Sequence, residues 1–269
     1  MAYYNRKPQL LKTLDSINES TIKEFEIIIV DDGSTPEHRL DEEELHKHCD
    51  CNINLVEIDR DLKTWINPCM AHNIAFSLAK GDKVVIQNPE TYHMGDILAH
   101  VNAHLLPTTY LTYRTIALNE PDTNGMPTKI NVPEIASYMI PIINNTSAVK
   151  GNPHVGQTIW YNHAKYRPVH YHFISAMTKE NLHRLGGFDE RYKDGRSYDD
   201  NEFLIRIDRL GLKKLIINDP MAIHLYHPLF SSLSEGTNNA DIYRNITLKE
   251  KDILIQKLDF NNYVRFLKK

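Results

Sequence analysis

Apolar and polar positions alternate between helical and strand-like spacing along the first third of the chain. Four apolar residues recur at helical intervals near the start, at Leu10, Leu11, Leu14 and Ile17. A compact apolar run at 25–30 is typical of a buried strand. The pattern then predicts a charged helix around 39–48, a strand at 53–58, a helix from about 68 to 79 and a strand at 83–87. This alternation favours an α/β fold with parallel strands joined by crossover helices.

The rest of the chain is less regular. Residues 106–175 are rich in Tyr, His, Asn and Pro and lack clear periodicity, which predicts long loops that shape a pocket. After Leu229 the sequence is polar, and it then offers a further helix candidate over 246–258. We expect one large domain followed by a C-terminal extension.

Composition excludes several classes of protein. The 269 residues are 41% hydrophobic and 25% charged, with a net charge of -4, so the chain can bury a sizeable core. The sequence has no Lys/Arg block of the kind that nucleic-acid binders show. The three cysteines, at 49, 51 and 69, are too few for a disulfide framework. With no leader pattern and no run near the roughly 18 apolar residues of a membrane span, we expect a cytoplasmic protein.

Three carboxylates cluster in a glycine-punctuated segment of the C-terminal half. Asp199, Asp200 and Glu202 lie just before an amphipathic stretch, after the glycines at 186, 187 and 195. Carboxylates so close repel one another unless a cation, a hydroxylated substrate or a helix N-terminus balances them. The segment therefore indicates a sugar or phosphate site.

Polar clusters follow two of the predicted strands. Asp31-Asp32 comes after the first, and Asn88-Pro89-Glu90 comes after the strand at 83–87. Ligands of open α/β sheets bind beyond the carboxyl ends of the strands. We therefore expect these two clusters to meet in space.

These residues together carry a resemblance to a known family. The matching segments occur in the family order: Tyr3-Tyr4-Asn5-Arg6, residues 30–34, Asn67 through Asn73, residues 79–82, Gly187-Phe188-Asp189 and Asp199-Asp200. Over most of residues 3–228 the chain resembles the inverting glycosyltransferases of family two, which have the GT-A fold. The resemblance implies a Rossmann-like, mixed and mostly parallel sheet flanked by helices. It divides the domain at 1–228 into a nucleotide-binding half at 1–105 and an acceptor half at 106–228, with a helical extension at 229–269.

The resemblance also implies an activity and a set of nucleotide contacts. The activity is transfer of a sugar from a nucleoside diphosphate sugar, expected to be a uridine diphosphate sugar, to a carbohydrate hydroxyl with inversion, in glycan or polysaccharide assembly. The nucleotide contacts would come from Tyr3, Tyr4, Asn5, Arg6, Asp31, Asp32, Asn73, Gln87 and Asn88. An Asp32 carboxylate can accept hydrogen bonds from a uracil imide or a ribose hydroxyl, and a turn cap is its alternative role. The two tyrosines could stack on the base, or they are ordinary tyrosines beside a helix start.

The expected metal site departs from the family pattern. A divalent cation, Mn²⁺ or Mg²⁺, usually stabilises the leaving diphosphate and is bound through an Asp-x-Asp. Asn88 and Glu90 stand at those two positions here, so Glu90 is the candidate ligand and metal dependence is open. The resemblance implies a late histidine ligand as well. Because residues three apart in a strand point to opposite faces, we expect His224 rather than His227 to face the site, unless either is a surface histidine.

Inversion needs a base that takes the proton from the acceptor hydroxyl. Asp200 matches the second acid of the family's Glu-Asp pair, so we assign it as the base and Asp199 as a ligand of the acceptor hydroxyl. Helix capping is the alternative for both. Trp160 and His172 are candidate acceptor contacts, with a buried aromatic core as an equal alternative.

Two features keep a second class of function open. Family members begin with an apolar strand before the Tyr3–Arg6 position, whereas only Met1 and Ala2 precede it here. Either that strand is missing or another element takes its central place, and its loss would expose sheet edges and weaken the nucleotide pocket. With the altered Asp-x-Asp, this leaves a non-catalytic nucleotide- or sugar-binding module as the alternative. A nucleotidyltransferase is a weaker third, because the sequence has no glycine-rich phosphate loop followed by Lys.

Overall fold

The computed structural model describes residues 1–127, 132–147, 151–228, 237–247 and 256–268. Its helices are α1 (Lys7–Asn18), α2 (Glu42–His46), α3 (Cys69–Leu78), α4 (Ile97–His104), α5 (Glu120–Gly125), α6 (Val132–Asn145), α7 (Lys179–Leu185), α8 (Asp199–Arg209) and α9 (Ala240–Ile242). Its strands are β1 (Ala2–Tyr3), β2 (Glu26–Asp31), β3 (Asn52–Glu57), β4 (Lys83–Gln87), β5 (Thr91–Met94), β6 (Thr109–Ala117), β7 (Ile159–Asn162), β8 (Ile174–Thr178), β9 (Gly195–Arg196), β10 (Lys213–His224) and β11 (Thr237–Asn238).

The strands form two main sheets. In the first, β1, β2 and β3 are parallel, and β2 pairs with β3 over its whole length. The second has the order β4-β8-β6-β10-β5, with β7 added to β6. Within it β6 and β10 are parallel, whereas β8 runs antiparallel to both β4 and β6, and β5 runs antiparallel to β10. The mixed α/β fold is thus confirmed, with more antiparallel pairing than expected.

The first-half predictions hold closely, and the apolar pattern explains why. Both faces of β2 are covered, so its apolar run is continuous, and α3 is buried from Cys69 to Phe76 between the two sheets. One apolar cluster contains residues of both sheets and of α3 and α8, including Val30, Val84 and Phe203. The charged helix predicted around 39–48 is shorter, at Glu42–His46, where Asp41 caps it by accepting from the Glu44 amide.

An apolar cavity of about 510 Å³ separates β2 from β4. Ile27 and Ile28 line it on one side, Val84 and Ile86 on the other, and Phe76 of α3 also faces it. β1 pairs with β2 over only two residues, Ala2 and Tyr3. In the sheets that the structure describes, no strand pairs with both β2 and β4, so the two sheets are separate.

The prediction of long loops over 106–175 was wrong for much of that region. It contains β6, β7, α6 and the start of β8, and β6 is buried along nearly its entire length. Because both faces of β6 are covered, its residues do not alternate in polarity. Thr112 and Thr115 lie inside because their hydroxyls bond to the backbone oxygens of Leu215 and Tyr113.

The C-terminal part packs on the main body. The helix predicted at 246–258 falls largely outside the described residues, which lack 248–255, and 243–247 form a π turn. Leu258 and Tyr263 join the core cluster of α3. The domain boundary at 228 stays a prediction.

In the described part of the chain, no helix combines the length and apolarity needed to cross a membrane.

Candidate functional site

The acidic segment at the start of α8 has an unusual backbone. Ser197 and Tyr198, which precede the helix, both have positive φ, at 62° and 67°. Non-glycine residues rarely adopt this conformation, and consecutive examples concentrate at functional sites. The segment with positive φ ends where α8 begins, and Asp199 and Asp200 lie in the first turn of α8.

The three acids have different partners. Glu202 is buried and forms a bidentate ion pair with Arg206, which lies one turn further along α8. Arg206 also donates to the carbonyls of Leu185 and Gly187, at 2.6 and 2.8 Å. Glu202 therefore joins α8 to the glycine loop and is structural, which leaves Asp199 and Asp200 for chemistry.

Asp199 and Asp200 have different surroundings. The Asp200 Oδ1 atom contacts Nδ1 of buried His172. The Asp199 carboxylate accepts a hydrogen bond from the side chain of Asn67. Burial, followed by repulsion from Asp200, raises the pKa of the Asp199 carboxyl. One acid of the pair thus contacts an imidazole, and the other accepts from an amide.

A cavity of about 660 Å³ opens on Asp200. Aromatic and polar side chains line it: Tyr161, Arg167, Tyr171, Phe173, Tyr198 and Asn201. The rings of Tyr161 and Phe173 are stacked, with centroids 4.6 Å apart. Flat aromatic faces beside hydroxyl and amide groups suit a sugar ring.

The two predicted acceptor contacts lie elsewhere. Trp160 is 1% exposed, packs in an apolar cluster and donates to the Thr146 carbonyl. It therefore belongs to the buried aromatic core that the sequence left as the alternative. His172 does not line the cavity but lies behind Asp200.

Glu90 is at the centre of a second cluster, together with His224 and His227. Their potential ligand atoms all lie within 4.8 Å of one another, and the three residues are buried. Glu90 Oε1 lies 3.0 Å from His224 Nε2 and accepts from Arg6 at 2.7 Å. Burial raises the pKa of the Glu90 carboxyl, but Arg6 and the imidazoles outweigh it and hold the pKa well below its usual value.

Both histidines face Glu90, so the expectation that only His224 does so was wrong. The strand rule does not apply to His227, because β10 ends at His224 and the chain then turns. His93 is not part of this cluster: its Nε2 lies 2.9 Å from Gln87 Oε1, inside the sheet.

The chemistry of this cluster fits a divalent cation. Glu90 Oε2 is buried without a hydrogen-bond partner, as a carboxylate oxygen reserved for a ligand would be. Burial lowers the pKa of His227 to about 4, so its imidazole is neutral at pH 7, the form that binds metal. One carboxylate and two imidazoles form a set that Mn²⁺ or a similar ion accepts.

The polar cluster after β2 is tied to the Glu90 cluster through Asn5 and Arg6. The Asn5 amide donates to Ser34, its side-chain oxygen accepts from the Thr35 amide, and the next residue, Arg6, reaches Glu90. The two strand-end clusters are therefore linked indirectly, through Asn5 and Arg6. Asp31 accepts from the Ser34 amide and shapes this turn.

Asp32 is buried and engages two side chains that the sequence reading missed. Its oxygens accept from Lys63 and from the indole of Trp65, both at 2.8 Å. Burial raises the pKa of the Asp32 carboxyl to about 6, although Lys63 opposes this. Lys63 also lies 4.6 Å from the ring of Tyr4. No periodicity or motif marked the loop that carries Lys63 and Trp65.

The other predicted nucleotide contacts are more deeply placed. Tyr3 is fully buried and donates to the His38 carbonyl, so its ring has no open face for a base. Asn73 bonds to the amide and carbonyl of Phe188, which holds the glycine loop against α3. Gln87 bonds to His93, and the Asn88 amide donates to the Phe173 carbonyl. Among these residues, Tyr4 and Asn88 are only half-buried.

Comparison with known proteins identifies what the chain is similar to. A family model described as glycosyl transferase family 2 matches residues 1–138. The amylovoran biosynthesis glycosyltransferase AmsB of Erwinia amylovora is 28% identical over 238 residues, covering 87% of this chain and 70% of AmsB.

Two solved structures share the fold. The mannosyltransferase PcManGT from Pyrobaculum calidifontis, in complex with GDP-Man and Mn²⁺, has a TM-score of 0.52 at 21% identity over 82% of this chain. TarS 1–349 of S. aureus, in complex with UDP, has a TM-score of 0.54 at 18% identity over 84% of this chain. The chain spans only 54% and 59% of these two proteins.

Proposed function

The chain belongs to glycosyl transferase family 2, and from this premise we propose that it transfers a sugar from a nucleoside diphosphate sugar to a carbohydrate hydroxyl, with inversion. The donor that we propose is a uridine diphosphate sugar, and the setting is assembly of a polysaccharide, the role that AmsB has by name.

One observation carries the proposal. The stacked rings of Tyr161 and Phe173 line the same cavity as Asp200. Both rings also contact His224, and their centroids lie 4.8 and 6.0 Å from that of the imidazole. A sugar bound in this cavity would therefore lie between a carboxylate base and a cluster suited to a metal diphosphate. Inverting transfer requires these two groups on opposite sides of the anomeric carbon.

The chain's residues divide the chemistry between them. Asp200 takes the proton of the acceptor hydroxyl as its oxygen forms the bond to the anomeric carbon. The bond from that carbon to the diphosphate breaks, and the diphosphate leaves with the electron pair. Glu90, His224 and His227 would hold a divalent cation, which supplies positive charge to the departing diphosphate. Asp32 would accept from the uracil or ribose of the donor.

Binding is the first test. Calorimetric titration with uridine diphosphate, with and without Mn²⁺, should show metal-dependent binding that weakens at least about tenfold in Glu90→Ala. Glu42→Ala, which removes an exposed acid of α2, is the matched control and should bind as the wild type does. Tight binding that is the same with and without Mn²⁺ would mean that Glu90 is not a metal ligand. Absence of binding to this and other nucleotides would refute the proposal.

Transfer is the second test. Incubation with a panel of uridine diphosphate sugars and carbohydrate acceptors should release uridine diphosphate and form a product of inverted anomeric configuration by NMR. Asp200→Asn should slow transfer by roughly 10²- to 10⁴-fold. Asp208→Asn on the same helix, where the acid is exposed and pairs with Lys214, should not. A wild-type protein that binds the nucleotide but transfers no sugar would instead be a binding module.

A further inference from the structure

We propose that His172 is a positioning residue that pairs with Asp200 and directs one oxygen of this carboxylate at the acceptor hydroxyl. The inference rests on the proposed function, because it assigns His172 a part in that reaction. It starts from the contact between His172 Nδ1 and Asp200 Oδ1.

The imidazole of His172 is held rigidly. It comes just before β8, and its side chain is 9% exposed. The ring packs edge-on against His72 of α3, with centroids 5.3 Å apart, and against Phe188 of the glycine loop, at 4.8 Å. Three elements thus enclose the ring, so Asp200 meets a fixed partner rather than a mobile surface histidine.

Titratable groups surround the His172 imidazole. Asp199 and Asp200 face it from α8, His72 faces it from α3, and the Tyr110 hydroxyl lies on the Asp200 side. Burial holds the pKa of His72 well below its usual value, so His72 is neutral. Burial also opposes charge on His172, but Asp200 and then Asp199 outweigh it and raise the pKa of His172.

This arrangement solves a problem that two adjacent carboxylates create. Two carboxylates side by side do not ionise together easily, and after burial, repulsion from Asp200 raises the pKa of the Asp199 carboxyl. A protonated Asp200 cannot accept the proton of the acceptor. With His172 Nδ1 at Oδ1, Oδ2 is the oxygen left to accept that proton while the hydroxyl oxygen bonds to the anomeric carbon and the bond to the diphosphate breaks.

The kinetic test uses His172→Asn. The asparagine amide can replace Nδ1 as a neutral donor, so the substitution removes the charge and keeps the hydrogen bond. We expect the acid limb of the kcat profile to move up by about one pH unit, a tenfold loss of rate on that limb, with the donor KM within twofold. His170→Asn is the matched control: it lies in the same loop, outside the site, and its φ of 60° suits asparagine. An unchanged pH profile in His172→Asn would overturn the proposal.

A second measurement does not depend on sugar transfer. NMR titration of the His172 ring should show its pKa falling by about one unit in Asp200→Asn and staying constant in Asp208→Asn. A His172 pKa that does not respond to Asp200→Asn contradicts the pairing, whatever the enzyme does. If the pairing is present but the wild type transfers no sugar, the proposed function fails, and the positioning role fails with it.

Discussion

The ion pair of Glu202 and Arg206 should be a main determinant of stability. Both side chains are almost fully buried, at 3% and 2% exposure. Replacing Glu202 by glutamine removes the negative charge and leaves the Arg206 guanidinium buried with only two neutral carbonyls. Removing one partner of a buried pair destabilises a protein by roughly 3–5 kcal/mol. Because the glutamine amide oxygen could still accept one hydrogen bond, we expect the lower end of that range.

Urea denaturation followed by circular dichroism gives the free energy of unfolding for this comparison. The control is Asp208→Asn, which breaks an exposed ion pair of the same helix and should change stability by no more than about 1 kcal/mol. A Glu202→Gln variant within about 1 kcal/mol of the wild type would refute the reasoning, since it would mean that Arg206 has no need of the charge.

The double variant separates charge pairing from packing. Arg206→Met removes the buried cation together with its bonds to the carbonyls of Leu185 and Gly187. Once the cation is gone, Glu202→Gln should destabilise the protein little further. The loss of unfolding free energy in the double variant should therefore be smaller than the sum of the two single losses by at least about 2 kcal/mol. Additive effects would mean that the two side chains contribute separately.

Three further outcomes follow from the site. Burial raises the pKa of Asp32 to about 6, above its unfolded value, so the folded protein binds more protons and wild-type stability falls as pH rises from about 4 to 6. Asp32→Asn removes this loss. The free energy of unfolding of the variant minus that of the wild type should therefore increase between about pH 4 and 6 and stay constant above pH 6, as measured by urea denaturation at each pH. Tyr161→Ala should raise the donor KM about tenfold, with exposed Tyr166→Ala as the control, in initial-rate kinetics. His227→Ala should weaken Mn²⁺ binding at least about tenfold in calorimetry, and unchanged affinity would remove His227 from the metal site.

The sequence predicted best what local pattern determines. The strands around β2, β3 and β4 and the helix α3 were located within a few residues, because continuous apolar runs bounded by polar clusters reveal buried elements. The middle of the chain was misread because β6 is covered on both faces and contains threonines and tyrosines, so it shows neither alternation nor an apolar run. Its burial depends on β8 and β10, which are distant in sequence.

The candidate site shows the same limit in its side chains. The resemblance to family two, together with residue type and spacing, singled out Asp200, Glu90 and His224, yet it could not show that Trp160 would turn into the core. It also could not show that Lys63 and Trp65 would reach Asp32 across some thirty positions. Such partners are chosen by the path of loops, for which a single sequence has no periodic signal.

The fate of the three acids shows how the tertiary structure assigns roles that sequence spacing leaves equal. Asp199, Asp200 and Glu202 share one helical turn, but successive residues of a helix point in different directions. Glu202 turns inward to Arg206, Asp200 meets His172, and Asp199 accepts from the Asn67 amide. Arg206 compensates the charge of Glu202, so Glu202 is a structural group. Asp200 is the acid that both contacts an enclosed imidazole and lines the cavity, and this combination supports the general-base role that we propose for it.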